Sequence, residues 1–424
     1  MSTASESGQG LVESKGTPTR IRAFHVLILG GLTAFGPLST DLYLPSLPTV
    51  SHDLGATMSQ TQITMSATIL GLSLGQILIG PISDARGRRW PLLISIVVFV
   101  LTSLLCAVAP SVTALTITRF VQGIAGAAGI VLALAIARDL YAGLTLARCI
   151  SLLMTVNFLA PLIAPVLGGQ LLTFTSWHGV FVTLALIGVV ALLAVVFGLG
   201  ETLPADRRQS GRISETLRTF RDLLANRRLV GYALTSSFTA AAGIVYLSSS
   251  PFIFQNIYGL SPMTVGFVFG GNALGLAIMA QIGARLVGRV APQRLLALGV
   301  VALVTAGVAL FVVVIMGIGL VGVLPPLFVI TVSLGLIFPN AASLALATVN
   351  PEIAGSASAL LGVLQLSVGA ILAPLVGIAG TASAAPMAAA IAVFTIAALL
   401  AFVVLGRPAQ KARAEEHAEL DVQP

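Results

Sequence analysis

The sequence predicts an all-α integral membrane protein of twelve transmembrane helices, arranged as two pseudo-symmetric six-helix bundles. Three observations lead to this fold class. Hydrophobic residues make up 57% of the chain and charged residues only 9%, whereas a soluble domain is roughly one quarter charged. The apolar residues form twelve runs of about 20 residues, the length that crosses a bilayer. Basic residues occur only in alternate connections between these runs and in the two tails, apart from one inside a run.

The apolar runs define the spans. We place them, in chain order, at residues 24–44, 59–82, 90–109, 113–137, 149–173, 178–199, 229–250, 264–287, 295–316, 321–346, 355–378 and 386–406. The long polar segment 201–228 is interpreted as a cytosolic linker between an N-terminal bundle, 23–200, and a C-terminal bundle, 229–406. Residues 1–22 and 407–424 are predicted to be cytosolic tails. The first 20 residues contain no apolar run, so no cleavable signal peptide is expected.

The linker contains the sequence SETLRTFRDLLANRR, which ends at Arg228. It suits a short helix on the inner membrane surface, with basic residues facing anionic lipid. A solvated linker is an equally good interpretation.

The basic residues predict the orientation. Twenty-one of the 22 Lys and Arg residues can be placed on one side of the membrane, and the remaining one, Arg119, lies inside a predicted span. Short cytosolic loops carry the excess of Lys and Arg in membrane proteins. This alternation places both termini in the cytosol of a bacterial cytoplasmic membrane. The net charge of +7 is not evidence for nucleic-acid binding, because the basic residues are scattered rather than gathered in one stripe.

Two pairs of similar segments relate the halves. APVLG at 164–168 recurs as APLVG at 373–377. GPISDARGRRWPLL from Gly80 and GARLVGRVAPQRLL from Gly283 share the first Gly, an Arg at the seventh position and the final Leu-Leu. Duplicated six-span halves are typical of transporters, whose substrate site lies at the interface of the repeats.

Asp41 and Arg119 are the charged residues inside predicted spans. Placing such a charge at the membrane centre costs about 2.5 to 3.5 kcal/mol on insertion scales. Both residues fall within roughly 10 Å of the outer boundary, so they can meet across the first half. We interpret Asp41 as the proton-coupling acid or a substrate contact, because such a carboxyl group can change protonation as its surroundings open and close. Arg119 would modulate it; a fixed structural ion pair is the alternative.

The loop after the second span is short and charged. Gly80 and Gly87 permit close helix approach and a sharp reversal of the chain. Asp84 can pair with Arg88 or with groups at the start of the eleventh span. A latch of this kind, made in one conformation and broken in the other, would act as a cytosolic gate. The alternative is that the arginines serve only as a topology signal.

Other candidate residues are uncharged. On the fifth span, a helix bend or close packing is expected from Pro161, Pro165, Gly168 and Gly169. The fourth span continues after Arg119 with Gln122 and Gly123. Arg285, two residues before the end of the 264–287 run, is counted with the connection that follows, so the second half has no charge in the interior of a span. Its polar candidates for a cavity wall or a helix contact are Tyr246, Asn272, Gln281, Asn340 and Gln365.

These motifs resemble those of the major facilitator superfamily over almost the whole chain except the tails. GPISDARGRR from Gly80 resembles the signature loop between the second and third helices of that family. RFVQGIAGAAG from Arg119 resembles the fourth-helix motif. APLIAPVLGG from Ala160 resembles the fifth-helix motif associated with antiporters, although Ala164 stands where Gly is more usual.

Two further segments resemble one branch of the family. STDLYLPSLP from Ser39 and GSASALLGVLQ from Gly355 are similar to the Bcr/CflA drug-resistance proteins. This resemblance implies a proton-coupled exporter of small amphipathic drugs, chloramphenicol- or bicyclomycin-like, in which a first-helix acid and the fourth-helix Arg take part in proton coupling. The implied partners are the drug, protons and membrane lipid. No cofactor is expected beyond the proton gradient, and a monomer is expected. The alternative is a secondary carrier of a metabolite.

Enzymatic motifs are missing from the sequence. It contains no GxxxxGK[ST], no HExxH and no GxSxG in a credible context. Cys106 and Cys149 fall in different spans, so neither a disulfide nor a metal site is expected. An intramembrane enzyme would need a cluster of catalytic groups, and a receptor or scaffold would carry a larger soluble domain. Neither class fits, and no nucleic-acid partner is expected.

Overall fold

Apolar segments fold into helices because a helix satisfies its backbone hydrogen bonds within the segment, where the membrane offers no water. The computed structural model describes residues 23–208, 213–350, 353–378, 380 and 383–406. The predicted tails lie outside the described residues. Within the described ranges the elements are helical, apart from one isolated β-bridge between Val287 and Val290, which confirms the all-α fold class.

The α-helices, in chain order, are α1 (Ala23–Thr33), α2 (Phe35–Asp41), α3 (Leu47–Asp53), α4 (Met58–Arg86), α5 (Arg89–Ala107), α6 (Val112–Leu140), α7 (Gly143–Leu171), α8 (Trp177–Gly198), α9 (Ile213–Leu224), α10 (Arg227–Phe252), α11 (Pro262–Leu286), α12 (Pro292–Ile315), α13 (Leu320–Leu346), α14 (Ala354–Gly377) and α15 (Ala385–Ala401). Short 3-10 or π turns occupy Leu44–Ser46, Ala205–Arg207, Ile253–Ile257 and Phe402–Gly406.

By length and composition, eleven helices of the described chain are suited to cross a membrane, and a bent pair supplies a twelfth span. The pair is Phe24–Thr33 and Phe35–Asp53, with a bend of 41°. The predicted span at 24–44 is therefore broken and longer than expected. Pro37 explains the break, because its ring clashes with the carbonyl four residues earlier, that of Thr33, at the end of α1.

The twelve spans form two six-helix bundles that touch along two lines, α4 with α14 and α7 with α11. The repeated segments lie on these lines. The carbonyl of Pro374 on α14 accepts a hydrogen bond from Ser59 Oγ on α4 at 2.9 Å, and the carbonyl of Pro165 on α7 packs against Gly266 on α11. The predicted bundle boundaries, at 23–200 and 229–406, stay a prediction.

The two ends of the bundles differ. We call the end that carries Arg86, Arg88 and Arg227 the basic end. The opposite end holds three described hydrogen bonds between the bundles: Ser59 Oγ to the Pro374 carbonyl, Gln62 Nε2 to Ser249 Oγ and Gln255 Nε2 to the Pro45 carbonyl, each 2.9 Å long. The bundles are therefore tied together at the opposite end.

The linker segment forms a helix, α9, the first of the two alternatives. Its side chains are described from Arg218 onward. Phe220 and Leu223 are buried, while Arg218 and Arg221 are exposed. This helix is amphipathic and packs against α10 and α14 of the second bundle.

Candidate functional site at Asp41

Asp41 is the last residue of α2 and is only 9% exposed. Its carboxylate accepts one hydrogen bond, from Thr40 Oγ1 to Oδ1 at 3.0 Å. Among the described residues it has no ion pair. A buried carboxyl group without a counter-ion is costly in a membrane, so its position requires a reason other than stability.

Two cavities meet at Asp41, and both are lined by helices of both bundles. The larger has a volume of about 320 Å³ and its polar side chains, besides Asp41, are Thr33, Thr40, Gln76 and Asn157. The smaller has a volume of about 110 Å³ and extends into the second bundle, where its polar side chains are Tyr246, Asn272 and Thr331. Asp41, Pro161 and Leu247 line both cavities. The remaining walls are apolar, and no other acid lines either cavity.

The polar candidates of the second half divide into two groups. Asn272 Nδ2 donates to the Tyr246 hydroxyl at 2.6 Å, and both residues line the smaller cavity. Asn340 instead donates to a carbonyl of its own helix at 2.7 Å. Gln281, Asn340 and Gln365 line neither cavity. The structure therefore brings only Tyr246 and Asn272 to the neighbourhood of Asp41.

Arg119 on α6 is completely buried. Its Nη1 donates to the carbonyl of Ser39 at 2.8 Å and to Gln122 Oε1 at 2.7 Å. The guanidinium carbon lies 4.8 Å from the ring centroid of Tyr43 and 5.5 Å from that of Phe181, which are cation–π distances. Within the described residues, Arg119 Nε and Nη2 have no hydrogen-bond partner.

The structure does not pair Asp41 with Arg119. Arg119 is instead bonded to the backbone of Ser39, two residues before Asp41 in the chain. Gln122 continues the network, since its Nε2 donates to Ser103 Oγ on α5 at 2.7 Å. The fourth-helix motif thus holds the α2 segment that presents Asp41, without contacting the carboxylate.

The fifth-span residues pack against both neighbouring spans. Pro161 and Pro165 lie inside α7, a single α-helix, and both line the smaller cavity. Gly168 lies against a backbone carbonyl of the first span, and Gly169 lies against one at the start of α11. A side chain at either glycine would push these helices apart.

A charged cluster occupies the basic end of the first bundle. Arg88 Nη1 donates to Asp84 Oδ1 at 2.5 Å and to Ser83 Oγ at 2.7 Å, and its Nε donates to Asp139 Oδ2 at 3.1 Å. Gly87 has φ +91°, a left-handed conformation that glycine adopts readily. Asp84 thus takes the first of its two predicted partners. Among the described residues it makes no hydrogen bond to the eleventh span, and Gly80 has open space around it.

Glu201 belongs to this cluster and was missed by the sequence reasoning, as was Asp139. Glu201 Oε1 accepts hydrogen bonds from the backbone N–H groups of Arg88 at 2.8 Å, Thr202 at 3.0 Å and Leu203 at 3.0 Å. Glu201 Oε2 accepts a hydrogen bond from the backbone N–H of Arg89 at 3.3 Å. Partial burial acts to raise the pKa of Glu201, but the four backbone N–H groups outweigh it and lower the pKa. The sequence did offer one signal for Glu201, a single acidic residue just after the apolar run 178–199.

We expect Glu201→Gln to lower the free energy of unfolding at neutral pH by about 1 kcal/mol, a modest loss because Glu201 is exposed. The pKa of Glu201 is lower in the folded protein than its ordinary value of 4.5. The stabilisation is therefore present above that value and is lost as the pH falls through the lowered pKa. The melting temperature of Glu201→Gln, followed by tryptophan fluorescence, should lie below that of wild type by a constant amount between about pH 6 and about pH 8. The two melting temperatures should become equal in acid.

Asp206→Asn is the matched control, because Asp206 is an exposed acid in the same connection. It should melt like wild type at every pH. A Glu201→Gln difference that persists undiminished at about pH 3 would show that the carboxylate charge is not its source.

Known proteins resemble the chain along most of its length. The family model described as Major Facilitator Superfamily matches residues 29–374. The uncharacterized MFS-type transporter YdgK of Bacillus subtilis (strain 168) is 40% identical over 378 residues, covering 88% of this chain and 93% of the relative. The bicyclomycin resistance protein homolog of Haemophilus influenzae is 30% identical over 383 residues, covering 90% and 95%. The multidrug resistance protein MdtL of Klebsiella pneumoniae (strain 342) is 31% identical over 246 residues, covering 58% and 60%.

Solved structures share the fold. A bacterial homolog of the human lysosomal transporter Spinster, in an inward-facing and occupied conformation, has a TM-score of 0.73 and 16% identity, covering 90% of this chain and 96% of its own. A D-xylose-proton symporter has the same TM-score and identity, covering 89% and 96%. At these identities the likeness concerns the arrangement of the twelve spans.

Proposed function

Because the chain belongs to the Major Facilitator Superfamily, whose members are carriers rather than enzymes, we propose that it exports small amphipathic drugs in exchange for protons. The observation that carries this proposal is the position of Asp41, a buried acid with no ion pair among the described residues, where two cavities between the bundles meet. The printed names of two relatives, a bicyclomycin resistance homolog and a multidrug resistance protein, support drugs as the substrate class.

Asp41 would act as the proton-coupling acid. Its carboxylate has one hydrogen bond, and the remaining groups around it are largely apolar walls. A group in this position can bind a proton or a drug when the cavity opens to one side and release it on the other. Competition of drug and proton for one carboxyl group would give exchange.

Arg119 would modulate Asp41 through the backbone. It donates to the Ser39 carbonyl, and two of its three guanidinium nitrogens have no partner among the described residues. A small shift of α2 could offer these free donors a new acceptor. Binding of a proton or a drug at Asp41 would thereby be linked to the packing of the first, fourth and sixth spans.

Alternating access would move the bundles between two arrangements. Positive charge marks the cytosolic side of membrane proteins, so we place the basic end in the cytosol of a bacterial cytoplasmic membrane, with both termini on that side. The three described hydrogen bonds between the bundles then lie on the external side, which is the pattern of an inward-open carrier. Closure of the basic end would bring the Asp84–Arg88 cluster towards the start of α14 as a gate. A monomer suffices, because the two bundles already form the interface.

Walls with few polar groups favour amphipathic compounds over sugars, which require many hydrogen bonds.

A reconstituted transport assay tests the proposal. The protein is placed in liposomes with an enclosed pH-sensitive dye, and chloramphenicol, bicyclomycin and other small drugs are added in turn. We expect an added drug to drive protons in the opposite direction, with no response in protein-free liposomes. Uptake of a labelled drug without a change in the dye signal would exclude exchange. A dye response to added metabolites but to no drug would favour a metabolite carrier.

A further inference from the structure

A further recess lies on the lipid-facing side of the first bundle at the basic end, apart from the two cavities at Asp41. We call it the α4–α6 groove, since α4, α5 and α6 form its walls. Its volume is about 310 Å³. Its apolar lining includes Ile79, Ile82, Ile94, Val98, Val121 and Ile124.

Arg86 and Trp90 line the α4–α6 groove at the basic end of α4 and α5, and we call this end of the groove its mouth. Arg86 is the last residue of α4, is exposed and has no ion pair among the described residues. Trp90 is in the first turn of α5 and is 68% exposed. Exposed tryptophan is enriched at the level of lipid headgroups, where its ring is partly apolar and its N–H can reach polar groups. The mouth therefore lies at the membrane interface.

Along α4 and α5, the depth of the groove matches one leaflet. Leu78 on α4 and Val98 on α5 are its deepest lining residues on those helices, each eight positions from the mouth residue of the same helix. Eight helical residues span about 12 Å, and half of a hydrocarbon core is about 15 Å.

We propose that the α4–α6 groove binds an anionic phospholipid, with its headgroup phosphate on Arg86, its glycerol region against Trp90 and an acyl chain between α4, α5 and α6. Charge selects the headgroup. The nearest acid in the chain, Asp84, is engaged by Arg88, so the charge of Arg86 is not neutralised within the described structure. Free phosphate would satisfy Arg86 but would leave the apolar groove empty, so the occupant is a lipid.

The internal repeat offers a comparison. In the second copy of the repeated loop, Arg289 occupies the position of Arg86, while Gln293 occupies that of Trp90. Arg289 is exposed and is the seventh residue of its copy, as Arg86 is of the first copy. It therefore provides the same charge without the interfacial tryptophan.

Quenching of Trp90 by brominated lipid tests the proposal. The chain has two tryptophans, and the other, Trp177, is buried at the opposite end. The full chain is reconstituted in phosphatidylcholine bilayers with a small fraction of brominated phosphatidylglycerol or brominated phosphatidylcholine. A Trp90→Phe variant supplies the Trp177 signal for subtraction. We expect phosphatidylglycerol to quench Trp90 about five-fold more effectively per molecule, the gain from one charge pair near the surface.

Matched variants locate the effect. Arg86→Gln should remove the preference, and Val98→Phe should reduce it by filling the deep end of the groove, while Arg289→Gln should retain it. Added inorganic phosphate should not lower the quenching. Equal quenching by both lipids in wild type would overturn the site. So would an equal loss in Arg86→Gln and Arg289→Gln, because the attraction would then belong to the whole basic end.

Discussion

The Asp41→Asn variant is expected to lose drug-driven proton movement to the level of protein-free liposomes. Asparagine has nearly the same shape, and its side-chain oxygen can still accept the hydrogen bond from Thr40 Oγ1. It cannot exchange a proton at this position. No other acid lines either of the two cavities that meet at Asp41, so no neighbouring group is placed to take over the coupling.

The fold of this variant should be retained. Asn removes a buried charge that has no ion pair within the described part of the chain, so we expect the stability of the variant to stay within about 1 kcal/mol of wild type. Melting temperature measured on the same preparation separates loss of coupling from loss of structure. Asp206→Asn, which removes an exposed acid from a connection at the basic end, should transport normally.

Two results would contradict the role of Asp41. Proton movement of wild-type size in Asp41→Asn would show that another group carries the proton. Loss of transport accompanied by a large fall in melting temperature would assign Asp41 a structural role. Drug movement that continues in Asp41→Asn without proton movement would separate substrate binding from proton coupling. Asp41 would then serve proton coupling alone, and the substrate class would be unaffected.

Gly123→Ala is expected to destabilise the protein by about 1 to 3 kcal/mol, the cost of overpacking a close contact. A Cβ at Gly123 on α6 would lie against the backbone carbonyl of Thr68 on α4. The contact is reciprocal, since a Cβ at Gly71 on α4 would lie against the carbonyl of Phe120 on α6. Backbone atoms cannot move aside as a flexible side chain can, so the two helices would have to separate.

Gly126→Ala is the matched control on the same helix. Its nearest neighbours would be Leu72 and Phe99 side-chain atoms at 3.6 Å, an ordinary contact distance. Thermal unfolding can be followed with a thiol-reactive dye, because Cys106 and Cys149 are free and buried in the folded protein. Equal melting temperatures for the two alanine variants would show that the α4–α6 contact tolerates separation.

The first span illustrates how much local sequence can predict. Its apolar run predicted a crossing at 24–44, and the structure confirms a crossing there. The bend at Ala34 and the continuation to Asp53 were not predicted, although Pro37 carried the signal for the break. The linker is similar, since its pattern allowed a surface helix or a solvated segment, and packing against α10 and α14 accompanies the helix.

The charged residues show where sequence reasoning ends. Depth in the membrane follows from counting residues along a helix, and on that basis Asp41 and Arg119 were placed where they could meet, with direct pairing left open. In the structure Arg119 instead bonds to the Ser39 carbonyl, and Asp41 faces the cavities. Counting residues does not reveal the rotation of each helix about its axis, which decides whether two side chains at one depth face each other.

Glu201 could not be assigned because its partners come from another part of the chain. It accepts from the backbone at the start of α5, more than a hundred residues earlier. By itself the sequence determined the membrane class, the twelve spans and the family, since hydropathy, span length and contiguous motifs are local properties. Only the tertiary structure decided the surroundings of Asp41, the partners of Arg119 and the binding of Glu201 to backbone N–H groups at the start of α5. These depend on helix rotation and on contacts between distant segments, which no local pattern encodes.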